Sequence, residues 1–290
     1  SQNDAPVLAN IDPVLSVNED QSLGSNTGTT IAALIADGFI NEDKDAVNPG
    51  FDDDDTPVKA IAITSASVSN GTLEASIAGV DGGAFKPVVG VSATESLLLD
   101  DTDKLRFRPN ADFFGNPGTL AGNGSFTFRA WDQRSLTGSS TASDAGTKVD
   151  TSGLNNGGTT AFSSNERTAN INVDSVNDAP SATFLSSDAK LTVDEDAGTQ
   201  TIAGFATPQA NATNSSDSLE APQTFTYAVT RRSGNEISGG SSLFSTAPAI
   251  APDGTLTYTP KANANGATVF DVRVEDNGET PNGGSDNATF

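Results

Sequence analysis

The chain alternates apolar and polar residues over short runs that are separated by turn residues. Seven runs show this most clearly, at 59–64, 104–108, 125–131, 169–173, 223–229, 255–259 and 269–274. A period of two places every second side chain on the same face of an extended strand, so one face packs inward and the other meets water. Long helical periodicity is absent. The pattern therefore predicts an all-β protein built from β-sandwiches.

The chain also contains an internal repeat. Matched segments define it: Asn3-Asp4-Ala5-Pro6 with Asn177-Asp178-Ala179-Pro180, 17–20 with 193–196, 105–115 with 256–266, and two strands that end at Asp132 and Asp276. A domain typically has ~100–200 residues, which suggests two domains for a chain of 290. The repeat therefore predicts two tandem domains, at 1–176 and 177–290.

The two predicted domains differ in their loops and in their last strand. Domain 1 is longer because of an acidic loop at 41–57, a Gly-rich stretch at 78–92 and a Ser, Thr and Gly-rich loop at 134–165. Such surface insertions add little loop-closure entropy. In domain 2 we expect the last strand, at 287–290, to be incomplete. One hypothesis is that a neighbouring subunit donates a strand to complete the sheet.

Composition narrows the function classes. Asp plus Glu number 38 against 15 for Lys plus Arg, so the net charge is −23 and the chain repels nucleic acid and attracts cations. No apolar run approaches the ~20 residues of a membrane helix, so we expect no membrane insertion. The chain has no Cys and no His, which removes thiol nucleophiles, common zinc sites and the usual general base. Carboxylates remain as possible catalytic groups, but they are concentrated in loops and linkers, so we expect no enzymatic activity.

Three features taken together resemble a known family. These are the Asn-Asp-Ala-Pro openings, the acidic starts at 17–20 and 193–196, and the endings at 254–260 and 274–278. They resemble the bacterial cadherin-like repeats, related in style to VCBS-type repeats, of large secreted adhesins and surface proteins. The resemblance implies Ig-like or cadherin-like Greek-key sandwiches joined by a short acidic linker. It also implies an extracellular location at the bacterial cell surface, and calcium at the junctions.

The resemblance and the chemistry of acidic residues suggest a set of calcium ligands. Carried over to this chain, the cadherin pattern implies the early-strand residues Glu19 and Glu195, the linker pair 177–178 and the Asp-x-Asp element 43–45. Calcium takes six to eight oxygens from carboxylates, amides and backbone carbonyls, and a linker rich in Asp, Asn and Glu supplies them. The full expected set is Glu19, Asp20, Asp43, Asp45, Asp174, Asn177, Asp178 and Glu195.

Other conspicuous residues have simpler interpretations. The run 52–55 is expected to be a solvated loop, since consecutive residues of an extended chain point alternate ways. The acidic residues at 100–103 precede a strand and predict a turn. Trp131 lies in a strand and is expected in the core.

Three functions remain open at this point. One is a calcium-stiffened spacer in a large surface or secreted protein, and another is a subunit of an extracellular fibre or sheath completed by strand donation. A third is an adhesion module that binds a cell-surface glycan or protein through the domain 1 insertions. In all three, the expected partners include neighbouring repeats of the same or of identical chains.

Overall fold

The computed structural model describes residues 5–35, 39–41, 59–111, 113–115, 124–133, 144–185, 191–210, 223–233 and 243–290. These residues form strands and connecting loops with little helix, so the all-β prediction is confirmed. No helix in the described ranges is long and apolar enough to cross a membrane. The chain divides into two compact units, unit 1 (Ser1–Asp174) and unit 2 (Ser175–Phe290). The repeat in the sequence predicts the domain boundary two residues later, between 176 and 177.

Unit 1 contains two larger sheets and one short pair. Its elements are β1 (Val7–Leu8), β2 (Val14–Asn18), β3 (Thr29–Thr30), α1 (Ile31–Leu34), β4 (Ile40–Asn41), β5 (Ala60–Val68), β6 (Gly71–Ser76), β7 (Lys86–Pro87), β8 (Ser96–Leu99), β9 (Lys104–Pro109), β10 (Gly124–Trp131), β11 (Lys148–Val149) and β12 (Arg167–Asp174), with a 3-10 turn at Asp81–Gly83. One sheet has the order β11-β8-β5-β10-β12-β2, and the other has the order β3-β9-β6-β7. Strand β12 runs parallel to β2, whereas the other described pairs are antiparallel.

The alternation seen in the sequence fills the core of unit 1. Strand β12 buries every second residue, and Phe126 and Phe128 of β10 are completely buried. These side chains belong to the main cluster, which also includes residues of β2, β5 and β9. A second cluster forms around Trp131 and Phe162, together with small residues of β5. Trp131 is thus a core residue, as predicted.

Unit 2 has three small antiparallel sheets. Its elements are β13 (Ser181–Phe184), β14 (Gln200–Ile202), β15 (Ala206–Gln209), β16 (Thr226–Arg231), β17 (Phe244–Ile250), β18 (Leu256–Pro260), β19 (Phe270–Glu275) and β20 (Asn287–Thr289), with a 3-10 turn at Pro281–Gly283. The sheet orders are β13-β15, β14-β18-β17 and β16-β19-β20. Phe205, Ile250 and Tyr258 are among the buried core residues.

The strand pairing of unit 1 recurs in unit 2. The pairs β5–β10, β6–β9, β3–β9 and β1–β4 correspond to β16–β19, β17–β18, β14–β18 and β13–β15. The turns of the repeated acidic segments also agree, since Asp20 and Asp196 both have left-handed backbone, with φ of 54° and 63°. The repeat in the sequence is therefore accompanied by a repeat of these four strand pairs.

Candidate cation site

A buried carboxylate with one unused oxygen lies at the end of β19. Asp276 is only 7% exposed. Its Oδ1 accepts hydrogen bonds from the backbone N–H of Gly278 at 2.9 Å and from Nδ2 of Asn177 at 3.1 Å. Its Oδ2 is buried and has no hydrogen-bond partner among the residues that the structure describes. Because a buried polar atom without a partner is costly, this oxygen marks a position where a ligand would be stabilising.

The backbone fixes the position of this carboxylate. The N–H of Asp276 donates to the carbonyl of Asp286 at 2.9 Å, which continues the ladder between β19 and β20 by one step. Asp276 is therefore the first residue beyond the strand. Its side chain is held by the turn at Gly278 and by Asn177 rather than by strand pairing.

Asn177 completes the frame around Asp276. Its Nδ2 also donates to the carbonyl of Ser285 at 2.8 Å, and its own carbonyl accepts from the N–H of Ser285 at 2.8 Å. Its Oδ1 accepts from Nε2 of Gln223 at 2.7 Å. Gly284 packs so closely that a Cβ there would lie 2.8 Å from the Asn177 carbonyl oxygen. The predicted linker residue Asn177 thus orients Asp276 within unit 2.

The charge distribution around Asp276 is unfavourable without a cation. Burial raises the pKa of Asp276, and the negative charges of Asp286 and Glu275 raise this pKa further. The hydrogen bonds from Gly278 and Asn177 act in the opposite direction but do not cancel the rise. A divalent cation at Oδ2 would favour the ionised carboxylate and screen its repulsion from Asp286 and Glu275.

Three of the predicted ligands lie close together along the backbone at one corner of unit 1. Because β2 and β12 run parallel, their carboxyl ends lie side by side, and Asp174 pairs with Asn18. The N–H of Glu19 donates to the carbonyl of Asp174 at 2.9 Å, and Glu19 is 4% exposed. Asp174 is half-buried, with Oδ1 accepting from Nδ2 of Asn172 at 2.7 Å, whereas Asp20 is exposed.

The other predicted ligands are distributed differently. In unit 2, Asn177 is buried, Asp178 is half-buried, and Glu195 is exposed in the turn that follows 191–194. Asp43 and Asp45 lie outside the described residues. Within the described ranges, no three Asp, Glu, His or Cys side chains form a group that could hold a metal. A calcium site at Asp276 would therefore need amide or backbone oxygens as well.

Sequence reasoning missed Asp276 and Asp286. One signal was present, because Asp132 and Asp276 end matched strands of the repeat. The approach of Asp286 to Asp276 depends on the pairing of β19 with β20, which the alternation alone does not show.

The acidic segment at 100–103 has a structural role. Asp103 is fully buried and accepts from the N–H of Ala78 at 2.7 Å and the N–H of Asp100 at 2.8 Å, one bond to each carboxylate oxygen. Its carboxylate therefore joins the turn before β9 to the loop after β6. With both oxygens engaged, Asp103 differs from Asp276 and is not a candidate ligand.

The comparisons with known proteins give no assignment. No family model matches the chain, and no curated protein matches it either.

Proposed function

We propose that the chain is a calcium-binding structural repeat of an extracellular or bacterial cell-surface protein. In this proposal both units are Ig-like or cadherin-like Greek-key sandwiches, and bound calcium makes them a rigid spacer. The observation that carries the proposal is the buried Oδ2 of Asp276, which has no hydrogen-bond partner in the described part of the chain and has Asp286 and Glu275 as negative neighbours.

The energetics favour a hard cation at this position. Burying an ionised carboxylate costs free energy unless it is paired. Calcium accepts oxygen ligands without strict geometry, so a carboxylate, amide oxygens, backbone carbonyls and water together can complete its shell. The net charge of −23 also draws divalent cations to the protein from solution.

Three further features support a binding and structural role. Four strand pairs of unit 1 recur in unit 2, as in proteins built from tandem repeats. The absence of Cys leaves bound ions as the available supplement to sheet packing. The absence of His and Cys removes the side chains that most often act as base or nucleophile, so the proposal gives the chain no catalytic role.

Thermal unfolding of the 290-residue protein in millimolar calcium, magnesium or chelator tests the proposal. Calcium is expected to raise the melting temperature, and magnesium to raise it less, because magnesium demands stricter octahedral geometry. Small-angle scattering of the same samples should give a longer, less variable particle with calcium. An unchanged melting temperature and an unchanged scattering profile would contradict the proposal.

A further inference from the structure

Part of the six-stranded sheet of unit 1 presents a polar surface without charge. Two rows of three residues across β5, β10 and β12 form this surface: Ser67, Ser125 and Asn170, and then Ser65, Thr127 and Thr168. Residues that are paired directly across strands point to the same side of a sheet, so these six side chains share one face. The intervening residues Phe126 and Ala169 point into the core instead. We call the six-residue surface the neutral face.

The side chains of the neutral face reach solvent and are partly fixed in position. Ser65 and Ser67 are exposed, and the other four residues are half-buried. The hydroxyl of Thr127 is hydrogen-bonded to the hydroxyl of Ser65 at 2.7 Å and to the hydroxyl of Thr64 at 3.0 Å. Hydroxyl groups held in this way are oriented before a ligand binds, which lowers the entropy cost of binding.

The matching surface of unit 2 is charged. Counting back from the matched ends of β10 and β19, Thr127 corresponds to Asp271. Arg232 continues the pairing of β16 with β19 and occupies the position of Ser67. In unit 2 these two residues form an ion pair, with Nε of Arg232 2.6 Å from Oδ1 of Asp271. The uncharged character of the neutral face is therefore a feature of unit 1 and is not shared by both repeats.

We propose that the neutral face of unit 1 binds an uncharged polysaccharide. Hydroxyl and side-chain amide groups both donate and accept hydrogen bonds, so they pair with sugar hydroxyls without a counter-charge. A sheet places such groups about 4.8 Å apart across strands and about 6.8 Å apart along each strand. Several of them can therefore contact one extended glycan chain. This inference concerns unit 1 alone and does not depend on calcium.

Charge and area distinguish this partner from other macromolecules. The net charge of −23 repels nucleic acid and acidic glycans, and none of the six residues is a cation that would offset the repulsion. Together with Asn172 and its pairing partner Ser16, the neutral face covers on the order of 300 Å². A stable protein–protein interface buries roughly 800 Å² on each partner. A polysaccharide needs less area at each site, because one chain can bind several protein molecules.

The border of the neutral face indicates how the glycan lies. Val14 of β2 is opposite Asn170 and is 50% exposed, so it can pack against the C–H groups of a sugar ring. Along β10, the next outward residue is Arg129, with Nη2 3.2 Å from Oε1 of Glu166. This ion pair closes the face in the strand direction. The bound chain is therefore expected to run across the strands, from Ser67 to Val14.

Affinity electrophoresis of the 290-residue protein tests the proposal. The neutral probes are hydroxyethyl cellulose, galactomannan and dextran, and alginate is the acidic probe. At least one neutral polysaccharide should retard the protein saturably, and alginate should not. Ser65→Lys adds a charge at an exposed position and should weaken binding at least ~tenfold. Asn170→Ala removes hydrogen-bonding groups without adding a charge and should weaken binding about fivefold.

A matched variant in unit 2 makes the test specific to the neutral face. Thr230 is exposed and lies opposite Asp271, as Ser65 lies opposite Thr127. Thr230→Lys should therefore bind the polysaccharide as the wild type does. Circular dichroism should show that all three variants retain the fold. The proposal is overturned if none of the neutral polysaccharides retards the protein, if alginate retards it as strongly, or if Ser65→Lys and Thr230→Lys have equal effects.

Discussion

Nδ2 of Asn177 donates to Oδ1 of Asp276 across 99 residues of sequence, at 3.1 Å. This bond engages one oxygen of the carboxylate, whereas the other, Oδ2, is buried and has no partner within the described ranges. Asn177 was expected to be a calcium ligand itself, and the structure places it as the residue that orients a buried carboxylate. The account of function depends on whether that second oxygen binds a cation.

Replacing Asp276 with Asn distinguishes the cost of burying its negative charge from the role of that charge in binding calcium. In Asp276→Asn, Oδ1 can still accept from Gly278 and Asn177, but the buried negative charge is gone. We expect the variant to be more stable than the wild type in chelator, and to gain no stability from calcium. Urea unfolding in both conditions measures this. Asp194→Asn, which removes an exposed charge in the same unit, serves as the control and should retain the calcium response.

Calcium binding should weaken as the pH falls. The pKa of Asp276 is raised by burial first and by Asp286 and Glu275 after it. Folding thus favours the protonated form of Asp276. The contribution of Asp276 to the free energy of unfolding is full below its ordinary pKa of 3.8 and is lost as the pH rises through the raised pKa. Because calcium requires the carboxylate, its apparent Kd should rise by about tenfold per pH unit below the raised pKa.

Calorimetric titration between pH 7 and pH 4 measures this dependence. Calcium affinity that does not change over this range would contradict a role for Asp276 as a ligand.

Asp103 should be needed for the stability of unit 1. Asp103→Ala leaves the N–H groups of Ala78 and Asp100 without their acceptor and removes two part-buried hydrogen bonds, each worth about 0.5–1.5 kcal/mol. Urea unfolding followed by Trp131 fluorescence reports on unit 1, because Trp131 is the single Trp of the chain. Asp101→Ala, at an exposed neighbouring position, should change the free energy of unfolding by less than about 0.5 kcal/mol. Equal effects of the two variants would disprove this role.

Trp131 should be a major contributor to the core of unit 1. It is 1% exposed and packs in the cluster with Phe162 and Leu98. Trp131→Ala is expected to lower the free energy of unfolding by about 3–5 kcal/mol, and Trp131→Phe by less. Leu154→Ala, at a position 97% exposed, should have almost no effect. Urea unfolding monitored by circular dichroism allows the comparison without the indole signal.

Much of the fold could be predicted from the alternation in the sequence. The predicted run 104–108 is observed as β9 (Lys104–Pro109), and 125–131 as β10 (Gly124–Trp131). The period of two can be recognised because alternate residues of a strand face the apolar core and the water. Pairing order was harder to predict, because it depends on contacts between distant segments such as β2 and β12.

The candidate site could be predicted only in part. The repeat identified Asn177, but the role of Asp276 depends on the turn at Gly278 and on the pairing that brings Asp286 close. Acidic residues are numerous in this chain, so composition does not distinguish a buried carboxylate from a solvated one. The unused oxygen distinguishes Asp276 from Asp103, which is also buried but has both carboxylate oxygens bonded.

Isothermal titration of calcium into the wild-type protein and into Asp276→Asn tests the central claim most directly. The account predicts saturable binding by the wild type, and the loss of at least one site in the variant while its fold is retained. Absence of binding to the wild type, or the same number of sites in both proteins, would contradict the assignment of Asp276 as a calcium ligand.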